Sequence, residues 1–119
     1  MTVVIARSKS PESEAALAAG LVEAKRRGED AVIFQLDNEQ LDPDTDQLDG
    51  VSVTFRFPQP RGRDATGDLL DVAEEVGASL IVVGIKHRSP VGKLFLGSSA
   101  QQLLLEANAP VLAVKATDH

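Results

Sequence analysis

Ser79-Leu80-Ile81-Val82-Val83-Gly84-Ile85-Lys86-His87-Arg88 leads, after eight residues, to Gly97-Ser98-Ser99-Ala100, and the chain then reaches Ala109-Pro110-Val111-Leu112-Ala113-Val114. The first and last of these segments are short uninterrupted apolar runs, the pattern of strands buried on both faces. Between them Gly84, Gly92 and Gly97 bracket Lys86, His87, Arg88 and Lys93, which reads as a loop. Gly97-Ser98-Ser99 then opens a helix over 100–107. A strand, a glycine-rich cationic loop, a helix start and a second strand form one crossover unit, and a helix start flanked by cations and glycines suits an anion.

Working outward, Thr2 to Ala6 is a β-branched run and reads as the first strand. Ser10-Pro11 follows as a helix cap and first helical residue, with Glu12 and Glu14 in the electropositive first turn. Ala15, Leu17, Ala18, Leu21, Val22 and Ala24 supply the apolar face of that helix, and Lys25-Arg26-Arg27-Gly28 its cationic, glycine-terminated end. Ala31 to Leu36 reads as the second strand. Val51 to Phe57 alternates apolar and polar side chains, as a strand near a sheet edge does. Pro58 and Pro60 end it, and Asp64 caps a helix running through Leu69, Leu70, Val72, Ala73 and Val76 to Gly77. Strands alternating with helices imply parallel pairing through right-handed crossovers, hence a doubly wound, Rossmann-like α/β sheet of five parallel strands in one domain over 1–119. One connection departs from the pattern. Residues 37–50 carry six Asp or Glu residues and a Pro without a helical apolar period, so the helix between strands two and three is expected to be shortened or lost, and its acidic cluster reads as solvated.

Composition narrows the function. The 119 residues are 43% hydrophobic and 25% charged, a globular balance. No cysteine is present, which removes disulfides, zinc–thiolate sites and cysteine catalysis. A net charge of −6 opposes broad binding to nucleic acid or to anionic membranes. No apolar run approaches the roughly 20 residues that span a bilayer, so the expected protein is soluble and cytoplasmic. The cations Arg7, Lys9, Arg61, Arg63, Lys86, Arg88 and Lys93 nevertheless gather in predicted loops. His119 is terminal and leaves His87 without a metal-binding companion, so no metal site is expected. His87 itself reads either as a solvated loop residue or as a phosphate donor. There is no phosphate-binding Gly-x-x-x-x-Gly-Lys-Ser/Thr loop and no Gly-x-Ser-x-Gly elbow, so no catalytic residue is assigned and a turnover enzyme is not expected.

Gly84-x-x-His87, nine residues, then Gly97-Ser98 resembles the signature of the universal stress protein family, Gly-x-x-Gly, nine residues, Gly-Ser/Thr. Gly84, Gly97, Ser98 and the spacing match, and His87 stands where the family has its second glycine. Val3-Val4-Ile5-Ala6 before Ser10-Pro11-Glu12-Ser13, and the last strand, are also similar to the family. The resemblance implies the strand order 3-2-1-4-5 and a long helix between strands two and three that this chain shortens or drops. It also implies ligand binding between the carboxyl ends of strands one and four, where Ala6, Ser8 and Lys9 meet Gly84, Lys86, His87 and Arg88, with Gly97, Ser98 and Ser99 at the helix start. ATP-binding members carry a pattern like Ala-x-Asp-Gly-Ser after the first strand. Here Ala6-Arg7-Ser8-Lys9-Ser10 puts Ser8 at the Asp position and Lys9 at the Gly position, which shifts the expectation from ATP alone towards another nucleotide or a simple phosphate compound. The same stretch also admits a purely architectural reading, in which Ser98 and Gln101 form a capping box and Gly84 and Gly97 turn the chain. Pairing through the last strand is implied as well, with Val111, Leu112, Ala113 and Val114 at a homodimer interface.

The expected function is therefore a homodimeric stress-response sensor or adaptor with a nucleotide or other phosphate ligand. The alternatives are a ligand-free dimeric interaction module and, behind it, a weak phosphohydrolase. An electron-transfer flavoprotein-like fold shares the topology, but 3% aromatic residues with no Trp or Tyr leave little to stack on a flavin.

Overall fold

A mostly parallel sheet with helices on both faces organises the computed structural model, which describes residues 1–8, 10–36, 46–58, 64–88, 93–95 and 98–116. In chain order the elements are β1 (Thr2–Arg7), α1 (Pro11–Arg27), β2 (Asp30–Gln35), β3 (Gln47–Leu48), β4 (Val51–Arg56), α2 (Ala65–Val76), β5 (Ala78–Arg88), β6 (Lys93–Phe95), α3 (Ser98–Glu106) and β7 (Val111–Lys115). Five strands run parallel in the order β4-β2-β1-β5-β7, the 3-2-1-4-5 arrangement expected. Two short strands pair antiparallel, β3 against β4 and β6 against the far end of β5.

The apolar runs occupy the centre of the sheet because only there are both faces covered. Val3 and Ile5 of β1, Ile33 of β2 and Val82 of β5 meet Ala16, Leu21 and Ala24 of α1 on one face. Val4, Phe34, Ile81 and Val83 meet Leu69, Val72 and Ala73 of α2 and Ala100 and Leu103 of α3 on the other. Alternation along each strand thus feeds two separate cores. Each of the first two helices begins at the residue expected. The Ser10 hydroxyl accepts the Ser13 N–H at 3.1 Å, and the Asp64 carboxylate accepts the Thr66 N–H at 3.2 Å. Each stops at a glycine in the left-handed region, Gly28 (φ 67°) and Gly77 (φ 64°), whose N–H caps the last carbonyls. Among the described residues no helix is long and apolar enough to cross a membrane.

Three details correct the sequence reading. The buried side of α1 is Ser13, Ala16, Gly20, Leu21 and Ala24, whereas Ala18 and Val22 face solvent. Gly20 decides this. A Cβ there would sit 2.5 Å from the Ile5 side chain, so the helix turns its slimmest arc to β1 and packs closer than the Val22 side allows. Lys86, His87 and Arg88 lie in β5, and Lys93 in β6, where a loop was expected, because β5 outruns the sheet and pairs with β6 as a hairpin. Arg7 likewise ends β1 instead of lying in a loop. Finally, residues 37–45, where the helix loss is expected, lie outside the described residues. From 46 to 50 the chain holds β3 and a turn through Asp49 (φ 51°) and Gly50 (φ 81°), a two-residue hairpin connection.

Candidate functional site

β1 and β5 are neighbours at the middle of the sheet, and the chain leaves them in opposite directions. From β1 it crosses by α1 to β2 on one face, and from β5 by α3 to β7 on the other. The cleft beyond the carboxyl ends of such a strand pair is where open α/β sheets hold ligands.

On the β1 side, serines build the turn into α1. Ser8 donates its N–H to the Ser13 hydroxyl at 2.7 Å, Ser13 donates its own N–H to the Ser10 hydroxyl, and the Ser10 N–H reaches the Ser8 carbonyl at 3.1 Å. Ser13 is 3% exposed, so this circuit is largely shielded from water and fixes the direction in which α1 departs. Arg7 extends the ladder through its carbonyl, which accepts the Leu36 N–H at 2.7 Å, and its guanidinium forms an ion pair with Glu14 on α1. Ala6 is buried in the core that α2 and α3 cover, on the face of the sheet opposite α1. Lys9 lies outside the described residues. The sequence reading singled out Ser8 and missed Ser13. The signal was a second serine three residues after the capping Ser10.

On the β5 side, Gly84 pairs in register with Val114 and sits inside a strand, so it does not turn the chain. A Cβ at this position would stand 2.2 Å from the Glu12 carbonyl oxygen and 2.9 Å from the Ser13 nitrogen. Its lack of a side chain thus serves close packing of β5 against the first turn of α1. Beyond Gly84 the strand continues through Lys86, His87 and Arg88. The register sets Lys86 opposite Phe95, His87 opposite Leu94 and Arg88 opposite Lys93. Positions facing each other across an antiparallel pair share a sheet face, and alternate positions along one strand do too. Positions 86, 88, 93 and 95 therefore belong to one face of the hairpin and 87 and 94 to the other. Ser98 and Ser99 are the first two residues of α3. Gly97, Gly92, Arg61 and Arg63 lie outside the described residues. The structure thus brings the ends of β1 and β5 together around the first turn of α1 and gathers three cation positions on one hairpin face.

The expected interface strand is β7. Among the described residues it pairs with β5 alone and forms an edge of the parallel sheet. Leu112 and Val114 pack towards the α1 core and Val111 and Ala113 towards the α2–α3 core, and all four keep part of their surface exposed. Away from this region, the Arg56 guanidinium, by hydrogen bonding and then by its charge, holds the Glu75 carboxyl below its ordinary value. Among the described residues no cluster of metal-ligating side chains exists.

Comparison with known proteins gives a consistent pattern. Residues 59–115 match the family model described as the universal stress protein family. A universal stress protein of Mycolicibacterium smegmatis is 41% identical over 126 aligned positions, covering 95% of this chain and 96% of that protein. Among solved structures, a universal stress protein from Archaeoglobus fulgidus superimposes with a TM-score of 0.75 at 30% identity, covering 97% of this chain and 98% of the other. A structure of the universal stress protein from Archaeoglobus fulgidus in complex with dAMP superimposes with a TM-score of 0.68 at 25% identity, covering 97% of this chain and 98% of that one.

Proposed function

Given that the chain belongs to the universal stress protein family, we propose that it is a cytoplasmic, homodimeric sensor or adaptor, that a nucleotide or other phosphate compound binds between the carboxyl ends of β1 and β5, and that no turnover follows. The observation that carries the ligand is the hairpin register. It sets position 88 opposite position 93, with position 86 on the same face of the hairpin, so three cationic residues of the sequence share one face, the composition an anion site calls for. The dAMP complex of a structural neighbour supports a nucleotide over a bare anion. The apolar edge at β7 supports pairing of two copies there, strand against strand.

A second reading is favoured by one specific finding. The Ser8 N–H already bonds Ser13, and the Gly84 backbone is already packed on the Glu12 carbonyl. Both groups are committed to architecture, as in a ligand-free dimeric module. Native mass spectrometry of the purified protein, followed by thermal shifts with ATP, ADP, AMP, dAMP and inorganic phosphate, separates the two. A concentration-dependent rise in melting temperature that Lys86→Ala with Arg88→Ala abolishes supports the sensor. A two-chain mass without adduct and an unmoved melting temperature support the module.

A further inference from the structure

Arg7 ends β1 on the face that Val3 and Ile5 turn to α1. The β1–β2 ladder runs on to Arg7, opposite Gln35, whereas the β1–β5 ladder stops at Ile5 and Val82. The two central strands thus part just before Arg7, which places this residue at the mouth of the cleft. The first turn of α1, seated on Gly84, reaches it through Glu14.

The guanidinium is underpaired for such a position. Its side chain is only 12% exposed, so it has given up most of its water. Nε is buried without a hydrogen-bond partner among the described residues, and an unsatisfied buried N–H is costly enough to call for an acceptor. The charge also lies beside the amino end of α1, where the helix dipole favours anions and disfavours cations. Against this stands Glu14, whose side chain is 58% exposed and whose attraction is therefore screened by solvent. The other end of α1 follows the rule, with Lys25, Arg26 and Arg27 in its last turn. A buried, underpaired cation at a helix amino end is a local conflict of the kind kept at functional sites.

We infer that Arg7 is a binding residue of the cleft, which takes a phosphoryl group of the ligand in exchange for Glu14, so that Glu14 acts as an internal competitor. This role rests on the phosphate ligand proposed above and adds to it a residue of β1 and a means of setting affinity. The planar guanidinium fork suits phosphoryl oxygens, which are numerous enough to serve Nε and a terminal nitrogen together. Their negative charge is also favoured at the amino end of α1. Glu14 loses little on release, because more than half of its side chain already meets water.

The test is isothermal titration calorimetry of the full chain with dAMP, inorganic phosphate and deoxyadenosine at constant ionic strength. The proteins are the parent, Glu14→Gln, Arg7→Gln and the double variant. Glu14→Gln should bind dAMP and phosphate about threefold to fivefold more tightly, the scale of one exposed ion pair, and leave deoxyadenosine unaffected. Arg7→Gln should weaken dAMP binding about tenfold and cancel the gain from Glu14→Gln in the double variant. A purely structural clasp between β1 and α1 gives no such gain. Circular dichroism and melting temperature show which variants are folded. If Arg7→Gln unfolds, Arg7→Lys, which keeps the charge and loses the fork, takes its place and should also weaken dAMP. The role of Arg7 is overturned if Glu14→Gln leaves dAMP affinity unchanged or lowers it, if the gain persists without Arg7, or if the folded Arg7 variant binds as the parent does. In each of these cases saturable dAMP binding by the parent leaves the cleft as the ligand site. Absence of saturable dAMP and phosphate binding by the parent and Glu14→Gln alike overturns both.

Discussion

Replacing Gly84 with alanine should separate the two halves of the cleft. The added Cβ would lie 2.2 Å from the Glu12 oxygen, 2.5 Å from the Glu12 carbonyl carbon and 2.9 Å from the Ser13 nitrogen, and ordinary contact begins at 3.4 Å. All three obstacles are backbone of the first turn of α1, so no rotamer change relieves them and the turn must move bodily from β5 by about an ångström. Overpacking of this kind costs about 3 kcal/mol, the upper part of the usual range, because rigid groups must shift. In a chain of this size that corresponds to a fall in melting temperature of about 10 °C. Gly20→Ala is the internal control. Its Cβ would also approach closely, 2.5 Å from Ile5, but there the neighbour is a side chain. The strain is partly offset by the roughly 1 kcal/mol by which alanine favours a helix over glycine, leaving a net loss of about 1 kcal/mol. Differential scanning calorimetry of both variants reads the difference. A Gly84→Ala protein melting within about 2 °C of the parent, or one less destabilised than Gly20→Ala, would refute the backbone contact and the steric ranking drawn from it.

Ser13→Ala leaves the Ser8 N–H without its acceptor and should cost about 1–2 kcal/mol, with faster hydrogen exchange at the Ser8 amide by NMR. Asp64→Ala removes the cap of α2 and should cost about 1 kcal/mol in urea unfolding, while Asp64→Ser recovers most of it. Glu75 should titrate below its ordinary value of 4.5 by carbon-detected NMR, and Arg56→Ala should return it upward. A carboxyl with a lowered folded value contributes stability present above the unfolded value and lost as pH falls through the folded one. The contribution of this pair should therefore vanish on the acid side of 4.5 and be weakened by salt.

The five parallel strands were legible because buried apolar runs and glycine-terminated helices are local signals, whereas their order came from the resemblance carried by Gly84, Gly97 and Ser98. The hairpin around Asp49-Gly50 carried its signal in the open, since Asp-Gly between Leu48 and Val51 suits a turn with two positive φ angles. It was hidden by the acidic residues before it, which make the stretch read as one solvated connection. Lys86 to Arg88 read as loop because charge dominates there, yet the partner strand at Leu94 and Phe95 draws them into β5. Gly84 and Ser13 show the limit. Their roles arise where β5 meets the first turn of α1, a contact between distant parts of the chain that no local pattern announces.

The central claim, ligand binding between the carboxyl ends of β1 and β5, is tested most directly by titrating ¹⁵N-labelled protein with dAMP and following the amides. The account predicts saturable shifts concentrated at Ser8, Gly84 to Arg88 and the first turn of α3, lost when Lys86 and Arg88 are both alanine. Unmoved amides at these positions, or saturable shifts confined to another part of the sheet, would contradict it.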